Sequence, residues 1–160
     1  MLKHVLIHTV LLLGFSFPAL ATIGDVIQQE GNAVIEREAG EIVTSQKDTD
    51  VFSMDTVLTQ QGATSIQFID ETRVDVTPHS KLVIDDFVYD PNSKTGALSL
   101  KASLGTVRYA SGQIAKNSRQ NVKIKTPTAV IGVRGTDFTM TVDETGSTMV
   151  ILLPSCTTNG

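Results

Sequence analysis

The sequence predicts an all-β fold built from many short strands. Apolar residues alternate with polar ones from Ala33 onward, and Gly, Pro, Asp, Asn and Ser separate the alternating segments. No stretch shows the apolar spacing of an amphipathic helix of about ten residues or more. We expect the strands to form a solenoid-like or β-roll stack, with a two-sheet β-sandwich as the alternative, because a period of two fits both arrangements.

Each predicted strand has an inner and an outer face, because successive side chains of a strand point to opposite sides. In the segment NVKIKT we expect Val122 and Ile124 to face inward and Lys123 and Lys125 to face outward. Further inward pairs are expected at Ile66 and Phe68, Val74 and Val76, Leu82 and Ile84, Leu98 and Leu100, and Val107 and Tyr109. Turns are expected at residues 38–41, 60–63, 90–96 and 143–147, whereas residues 48–54 and 111–118 fit no element clearly.

The chain begins with the pattern of a secretory signal peptide. Lys3 precedes the apolar run Val5–Phe17, and an Ala-x-Ala cleavage signal ends at Ala21. The run is shorter than the roughly 20 residues that a membrane-spanning helix needs. We therefore predict a signal peptide over residues 1–21 and one β domain over residues 22–160. The expected localisation is the periplasm, with secretion or the cell surface as the alternatives.

The charge of the chain argues against nucleic-acid binding. Lys and Arg total 13 against 17 Asp and Glu, which gives a net charge of −4, and removal of Lys3 with the signal peptide makes it −5. Non-specific binding to nucleic acid needs a concentrated basic surface, and the basic residues form no long run here. We expect no nucleic-acid partner, and no membrane span after signal cleavage.

The C-terminal region raises the question of a missing partner. Cys156 is the only cysteine, so the chain cannot close a disulfide internally, although exported proteins usually pair their cysteines. The apolar run Met149–Pro154 is expected to present a sheet edge. That edge would pair with missing downstream sequence, with a second copy of the chain, or with a partner. One interpretation is that the domain is truncated at its C-terminus.

Carboxylates are the most numerous candidates for catalysis. Adjacent pairs occur at Asp70–Glu71, Asp85–Asp86 and Asp143–Glu144. Neighbours on a strand point to opposite faces, so none of these pairs can act as the two facing carboxyls of a glycosidase. An enzyme would have to combine carboxylates from different strands, such as Asp70, Asp86 and Asp137. We predict no catalytic residues and no enzyme, and keep a carbohydrate-active or other hydrolase of that kind as the alternative.

Histidine and metal chemistry are poorly supported by the sequence. His79 follows a proline in a turn-like segment, and no G-x-S-x-G motif supplies a nucleophile. Zinc would need closely spaced Cys and His ligands, which the chain lacks. The segment DDFVYDPNS, residues 85–93, offers oxygen ligands but not the spacing of a calcium loop. We predict no metal site and no cofactor, and interpret DDFVYDPNS as a plain turn.

The segment TPTAVIGVRGTDF, residues 126–138, places Arg134 between two glycines. A phosphate-binding loop would lead into a helix, whereas the residues after Gly135 alternate like a strand. Glycine in a strand indicates a bulge or the close approach of another group. Arg134 would then bind a carboxylate or carbonyls of a neighbouring strand as a buried clamp, or it would contact a ligand. The pattern favours the clamp.

This same segment resembles the signature of the FecR domain, an all-β module of bacterial cell envelopes. The segments GDVIQQEGNAVIER, TQQGATSIQFIDETRVDVTPHSKLVIDDFVYD and ALSLKASLGTVRYASGQ resemble the family's opening, its middle block and the part before the signature. The resemblance covers most of residues 22–160. It implies that the signature residues belong to the architecture: Thr126, Pro127, Gly132, Arg134, Gly135 and Thr136.

The resemblance also implies a class of function. The best-known FecR proteins are anti-sigma regulators whose periplasmic domain receives a signal from a TonB-dependent receptor. Only a signal peptide precedes the β module here, so we expect this chain to lack the sigma-binding part and the membrane anchor. We predict a non-catalytic binding or scaffold module of the envelope that is linked to signalling. Its expected partner is an envelope protein or polysaccharide, and self-association through the Met149–Pro154 edge is a further prediction.

Overall fold

The computed structural model describes residues 21–118 and 120–154. Residues 1–20 of the predicted signal peptide, and Cys156, lie outside the described residues. The strands are β1 (Gly24–Glu30), β2 (Ala33–Glu36), β3 (Ile42–Thr44), β4 (Asp50–Val51), β5 (Thr56–Thr59), β6 (Ala63–Phe68), β7 (Arg73–Val76), β8 (Lys81–Asp90), β9 (Thr95–Ala110), β10 (Val122–Lys125), β11 (Val130–Gly132), β12 (Phe138–Val142) and β13 (Thr148–Leu152). The short helix α1 (Gln113–Asn117) lies between β9 and β10.

The 13 strands of the described residues form one continuous sheet that curls strongly into a half-barrel. The long strand β9 belongs to both walls of this half-barrel. The first wall has the strand order β4-β1-β6-β7-β9-β12-β13, and the second wall has the order β3-β2-β5-β8-β9-β10-β11. Neighbouring strands are antiparallel except β9 and β10, which run parallel. Among the described residues, β11 and β13 therefore form the free edges on the C-terminal side of the two walls.

The chain passes from one wall to the other at a bend inside β9. Up to Leu104 this strand pairs with β8, and from Gly105 onward it pairs with β12 and β7. Gly105 has a φ of +87°, and a Cβ at this position would lie 2.0 Å from the Oγ of Ser80. The bend therefore needs glycine for both its backbone conformation and its space. The Thr106 N–H donates a hydrogen bond to the same Ser80 Oγ at 3.1 Å.

The inner faces of the two walls form one hydrophobic core. Phe68 of the first wall stacks on Phe87 of the second, with ring centroids 5.4 Å apart. Within the first wall, Tyr109 and Phe138 stack at 5.3 Å. Each fully buried side chain of this size stabilises the fold by about 1.5–3 kcal/mol. The core thus holds the sheet in its curled form.

The predicted all-β class is confirmed, and its many short strands are rolled into a single curled sheet. The inward pairs predicted from the alternating pattern are all buried. In β10, Val122 and Ile124 face the core while Lys123 and Lys125 are exposed. The segment 111–118, which the pattern left open, contains α1.

Candidate functional site

Arg134, Gly135 and Thr136 lie on the surface, in the loop between β11 and β12. Arg134 is exposed, and it makes no hydrogen bond or salt bridge to any residue in the ranges 21–118 and 120–154. The expectation of a buried arginine clamp at this position is therefore wrong. The expectation fails because the Arg134 guanidinium points to solvent and does not reach the carboxylates or carbonyls of a neighbouring strand.

The two glycines beside Arg134 have different surroundings. Gly135 has a φ of +71°, a conformation that costs other residues about 1 kcal/mol or more. Gly132 has no positive φ, and no atom lies within 4 Å of the position that a Cβ would occupy. Of the two alternatives expected for Gly132, neither is seen in the described part of the chain: no other group approaches closely, and β11 pairs with β10 without a register shift. Gly135 shapes the loop, whereas Gly132 leaves open space on the outer face of β11.

The first residues of the signature form the turn between β10 and β11, which contacts the β12–β13 hairpin. Thr126 accepts a hydrogen bond from the Ala129 N–H at 3.0 Å, and its hydroxyl also bonds that of Thr148 at 2.8 Å. A Cβ on Gly146 would lie 2.9 Å from the Cβ of Pro127. The turn and the hairpin are thus in close contact across the two walls. The architectural role of the signature as a set stays a prediction.

Thr136 takes part in a second set of contacts through its backbone. The Ser111 hydroxyl donates to the Thr136 carbonyl at 3.2 Å, and the Ser111 N–H donates to the Asp137 carboxylate at 2.9 Å. The Leu153 N–H donates to the Asp137 carbonyl at 2.9 Å. These bonds anchor the end of the β11–β12 loop, at Thr136 and Asp137, to the ends of β9 and β13.

Arg37, which the sequence pattern did not point to, is partly buried, with a side-chain exposure of 15%. Its guanidinium pairs with the carboxylate of Asp55, whose side chain is 1% exposed, and donates to the Asp50 carbonyl at 3.0 Å. It also lies over the Phe52 ring, 4.7 Å from the centroid. Burial raises the pKa of Asp55, although hydrogen bonds from the Phe52 N–H and from Arg37 act in the opposite direction. Arg37 thus has the role that the pattern favoured for Arg134.

Arg134 shares a surface cavity of about 480 Å³ with Lys116 of α1. The other lining residues are Ala115 and Gly135, and we call this site the basic cleft. Lys116 is exposed and, like Arg134, forms no salt bridge with a residue that the structure describes. The lining residues carry no carboxylate. The cleft is suited to binding an anionic group, and the sequence signal for it was weak because Lys116 lies 18 residues before Arg134.

The edge strand β13 is apolar on both of its faces. It pairs with β12 on one side, and its other side is unpaired among the described residues. The exposed fractions are 57% for Met149, 39% for Val150, 52% for Ile151 and 68% for Leu152. No charged residue interrupts this strand, although natural edges usually carry one. The exposed edge predicted at Met149–Pro154 is therefore present, whereas its pairing with anything stays a prediction.

Comparison with protein families identifies the module. The model of the family described as FecR protein matches residues 55–154, which is most of the described chain and includes the signature. The chain belongs to the FecR family. FecR domains occur in envelope-associated proteins, and the family is regulatory and non-enzymatic. No curated protein and no solved structure is significantly similar to this chain.

Asp70, Asp86 and Asp137, the carboxylates of the hydrolase alternative, do not line one cleft in the described part of this FecR domain. Asp70 is fully buried, and its carboxylate accepts hydrogen bonds from the Thr72 hydroxyl at 2.8 Å and the Ile114 N–H at 3.2 Å. Asp137 is bound to Ser111, as described above. Asp86 lies on the outer face of the second wall, in a groove that Asp85, Lys123 and Lys125 also line. The expectation that Asp85 and Asp86 point to opposite faces is wrong, because the strand register shifts between Ile84 and Asp86 and both residues line this groove. Ser99 and Lys125 bind the Asp85 carboxylate there. The three carboxylates of the hydrolase alternative are not brought together.

The remaining candidates from the sequence lie in turns. His79 is exposed in the turn before β8, with a φ of +57°. Asp90 accepts hydrogen bonds from the Asn92 N–H and the Ser93 hydroxyl, which lower its pKa. Among the described residues, no group of three or more His, Cys, Asp or Glu side chains is placed to hold a metal ion. Within residues 21–118 and 120–154, no helix is long and apolar enough to cross a membrane.

Proposed function

We propose that this protein is a non-catalytic binding module of the bacterial cell envelope, exported to the periplasm, that binds an extended segment of a protein partner along β13. The observation that carries the proposal is that one side of β13 is unpaired among residues 21–118 and 120–154 and that its apolar faces are exposed. A strand added to this edge would satisfy its free backbone groups and cover Met149, Val150, Ile151 and Leu152. Membership of a regulatory family supports a role in envelope signalling.

The chemistry of β13 favours a protein strand over a polysaccharide. Thr148–Leu152 contains no aromatic or charged side chain on which a sugar ring would stack or hydrogen-bond. Val150 and Leu152 are on the same face as Phe138 and Met140 of the core, and Met149 and Ile151 are on the opposite face. A partner strand with apolar residues at alternate positions would extend both faces at once.

The proposal is tested by photo-crosslinking in cells that export the protein. A crosslinking amino acid replaces Met149, and Ile151→Lys is added as the edge-blocking change. The matched control is Ile42→Lys, because Ile42 is 67% exposed on the edge strand β3 of the other wall. We expect one envelope protein to be captured, and Ile151→Lys to reduce its yield about tenfold while Ile42→Lys does not.

The captured protein must also slow hydrogen exchange of the β13 amides when it is purified and added back. If the only captured protein is a second copy of this chain, and Ile151→Lys dissociates a dimer in solution, β13 binds another copy of the chain. The proposal of a separate partner protein would then be rejected. Capture of a polysaccharide, or equal effects of the two lysine substitutions, would overturn the proposal.

A further inference from the structure

The basic cleft has two positively charged side chains and no acidic side chain among its lining residues. The chain has a net charge of −4, yet Arg134 and Lys116 face the same cavity and none of its lining residues is acidic. The nearest acidic group in the chain sequence, Asp137, uses its carboxylate on the Ser111 N–H. Two cations close together repel each other, and an anion between them removes this repulsion. The cleft is therefore complementary to a carboxylate.

A free sheet edge adjoins the basic cleft. β11 pairs with β10 on one side, and its other side has no partner among the described residues. Val130 of this strand is 68% exposed, and Gly132 leaves open space on the outer face. Only Val133 separates Gly132 from Arg134 in the chain. An extended peptide that pairs with β11 would thus carry its next side chains toward the cleft.

We propose that β11 and the basic cleft together bind an extended acidic segment of a partner protein. Backbone groups of β11 pair with the segment, the Arg134 guanidinium binds a carboxylate through two parallel N–H donors, and Lys116 adds a second charge. An acidic glycan fits less well, because no aromatic side chain lines the cleft and the adjacent strand edge offers backbone groups that match a peptide.

This site is separate from the β13 edge. β11 ends the second wall and β13 ends the first, and their chemistry differs, since β13 has no charged residue and the basic cleft has two. A partner strand at β13 is selected by apolar residues, whereas the segment at β11 is selected by carboxylates. Failure at one surface therefore leaves the other proposal standing.

The test measures binding of a fluorescent hexapeptide of alternating glutamate and valine to the purified exported protein. The variants are Arg134→Gln and Lys116→Gln. Their matched controls are Arg108→Gln and Lys47→Gln, because both of those residues are exposed and neither forms a salt bridge among the described residues. All four changes remove one positive charge from the surface, so non-specific attraction falls equally in each.

We expect Arg134→Gln to weaken peptide binding by roughly 10-fold or more, the usual effect of losing a hydrogen-bonded charge. Lys116→Gln should have a smaller effect and the two controls none. The peptide should shift the backbone NMR signals of Ala115 and Gly135. A control peptide in which glutamine replaces every glutamate should not bind. Unchanged thermal unfolding of Arg134→Gln will show that the loss is local.

Three results would overturn the proposal. These are equal binding of the glutamine peptide, equal losses in Arg134→Gln and Arg108→Gln, and no binding of the glutamate peptide at all. Alginate is the probe for an acidic glycan. If alginate bound in an Arg134-dependent manner and the glutamate peptide did not, the cleft would be assigned to a glycan and the peptide proposal would be rejected.

Discussion

Arg37 and Arg134 have the same side chain in opposite surroundings. Arg37 follows β2, and its guanidinium is paired with the buried carboxylate of Asp55 and lies over the Phe52 ring. Arg134 projects from the loop whose following residues, Thr136 and Asp137, are hydrogen-bonded to Ser111, and it has no partner in the described part of the chain. The difference teaches that an arginine stabilises the fold when a buried acceptor depends on it, and is available for binding when none does.

The comparison is tested most strongly by removing each arginine in turn. Arg37→Ala should destabilise the protein by roughly 3–5 kcal/mol, because the buried charge of Asp55 loses its partner and Phe52 loses its packing. Arg134→Ala should change the free energy of unfolding by no more than about 0.5 kcal/mol, as for other exposed positions. Urea denaturation at pH 7 measures both.

Arg108→Ala serves as the control for removing an exposed arginine. If Arg134→Ala lowered the free energy of unfolding by several kcal/mol, Arg134 would act as a structural clamp after all. If Arg37→Ala unfolded the protein entirely, Arg37→Lys would still test the idea, because a lysine keeps the charge but loses the planar contacts.

The second prediction uses pH to separate charge from packing. Burial raises the pKa of Asp55 in the folded protein, so the stability linked to this group is present below its unfolded pKa of about 3.9 and falls as pH rises through the folded value. Arg37→Gln removes two causes that lower this pKa, which should rise further. Asp55 would then be protonated to a greater extent at pH 4 than at pH 7, and its protonated form needs no cation.

We therefore expect the destabilisation by Arg37→Gln to be larger at pH 7 than at pH 4, by about 1–2 kcal/mol. Urea denaturation of both proteins at the two pH values measures the difference, and Arg108→Gln is the control. A destabilisation that did not vary with pH would mean that Arg37 acts through its packing on Phe52 and not through its charge.

The third prediction compares the two glycines on either side of Arg134. Gly135→Ala should cost about 1–2 kcal/mol, because alanine resists a φ of +71°. Gly132→Ala should cost well below that amount, since no atom lies within 4 Å of the new Cβ. Thermal unfolding of both variants measures the contrast. Equal losses would mean that the loop conformation does not depend on Gly135.

The sequence predicted the strands well because burial in a sheet leaves a local signal. Val122 and Ile124 alternate with two lysines, and this pattern alone assigns the inner and outer faces of β10. The bend of β9 could not be predicted, because the need for Gly105 comes from Ser80, a residue 25 positions away in the chain. Local pattern thus gave the strands, while the curl of the sheet depends on contacts between distant residues.

Contacts between residues distant in the chain also explain why the sequence pattern pointed to Arg134, and not to Arg37, as the structural clamp. Arg37 sits in the segment EREAGE, which looks like a charged turn, and its partner Asp55 is 18 residues away. Arg134 sits between glycines in a strand-like segment, which looks like a buried site. Exposure depends on which strands cover a position, and among the strands that the structure describes β11 lies at an edge.

A surface ion pair lies between these two arginines in exposure, and removing it should cost less stability than the loss of Arg37 or the Gly135→Ala substitution. The Lys125 ammonium donates to the Asp85 carboxylate at 2.6 Å, with side-chain exposures of 45% and 35%. This hydrogen bond, together with one from Ser99, lowers the pKa of Asp85. The resulting stability is present above the unfolded pKa of about 3.9 and is lost as pH falls through the folded value.

Because water screens so exposed a pair, Lys125→Gln should cost at most about 0.5–1 kcal/mol at pH 7 and less in 1 M salt. Lys123→Gln is the matched control, two residues away on the same strand and the same outer face. A loss of 2 kcal/mol or more that persisted in salt would show that the pair behaves like Arg37 and Asp55. Side-chain exposure would then not distinguish the Lys and Arg residues that stabilise this fold from those that are available to bind a ligand.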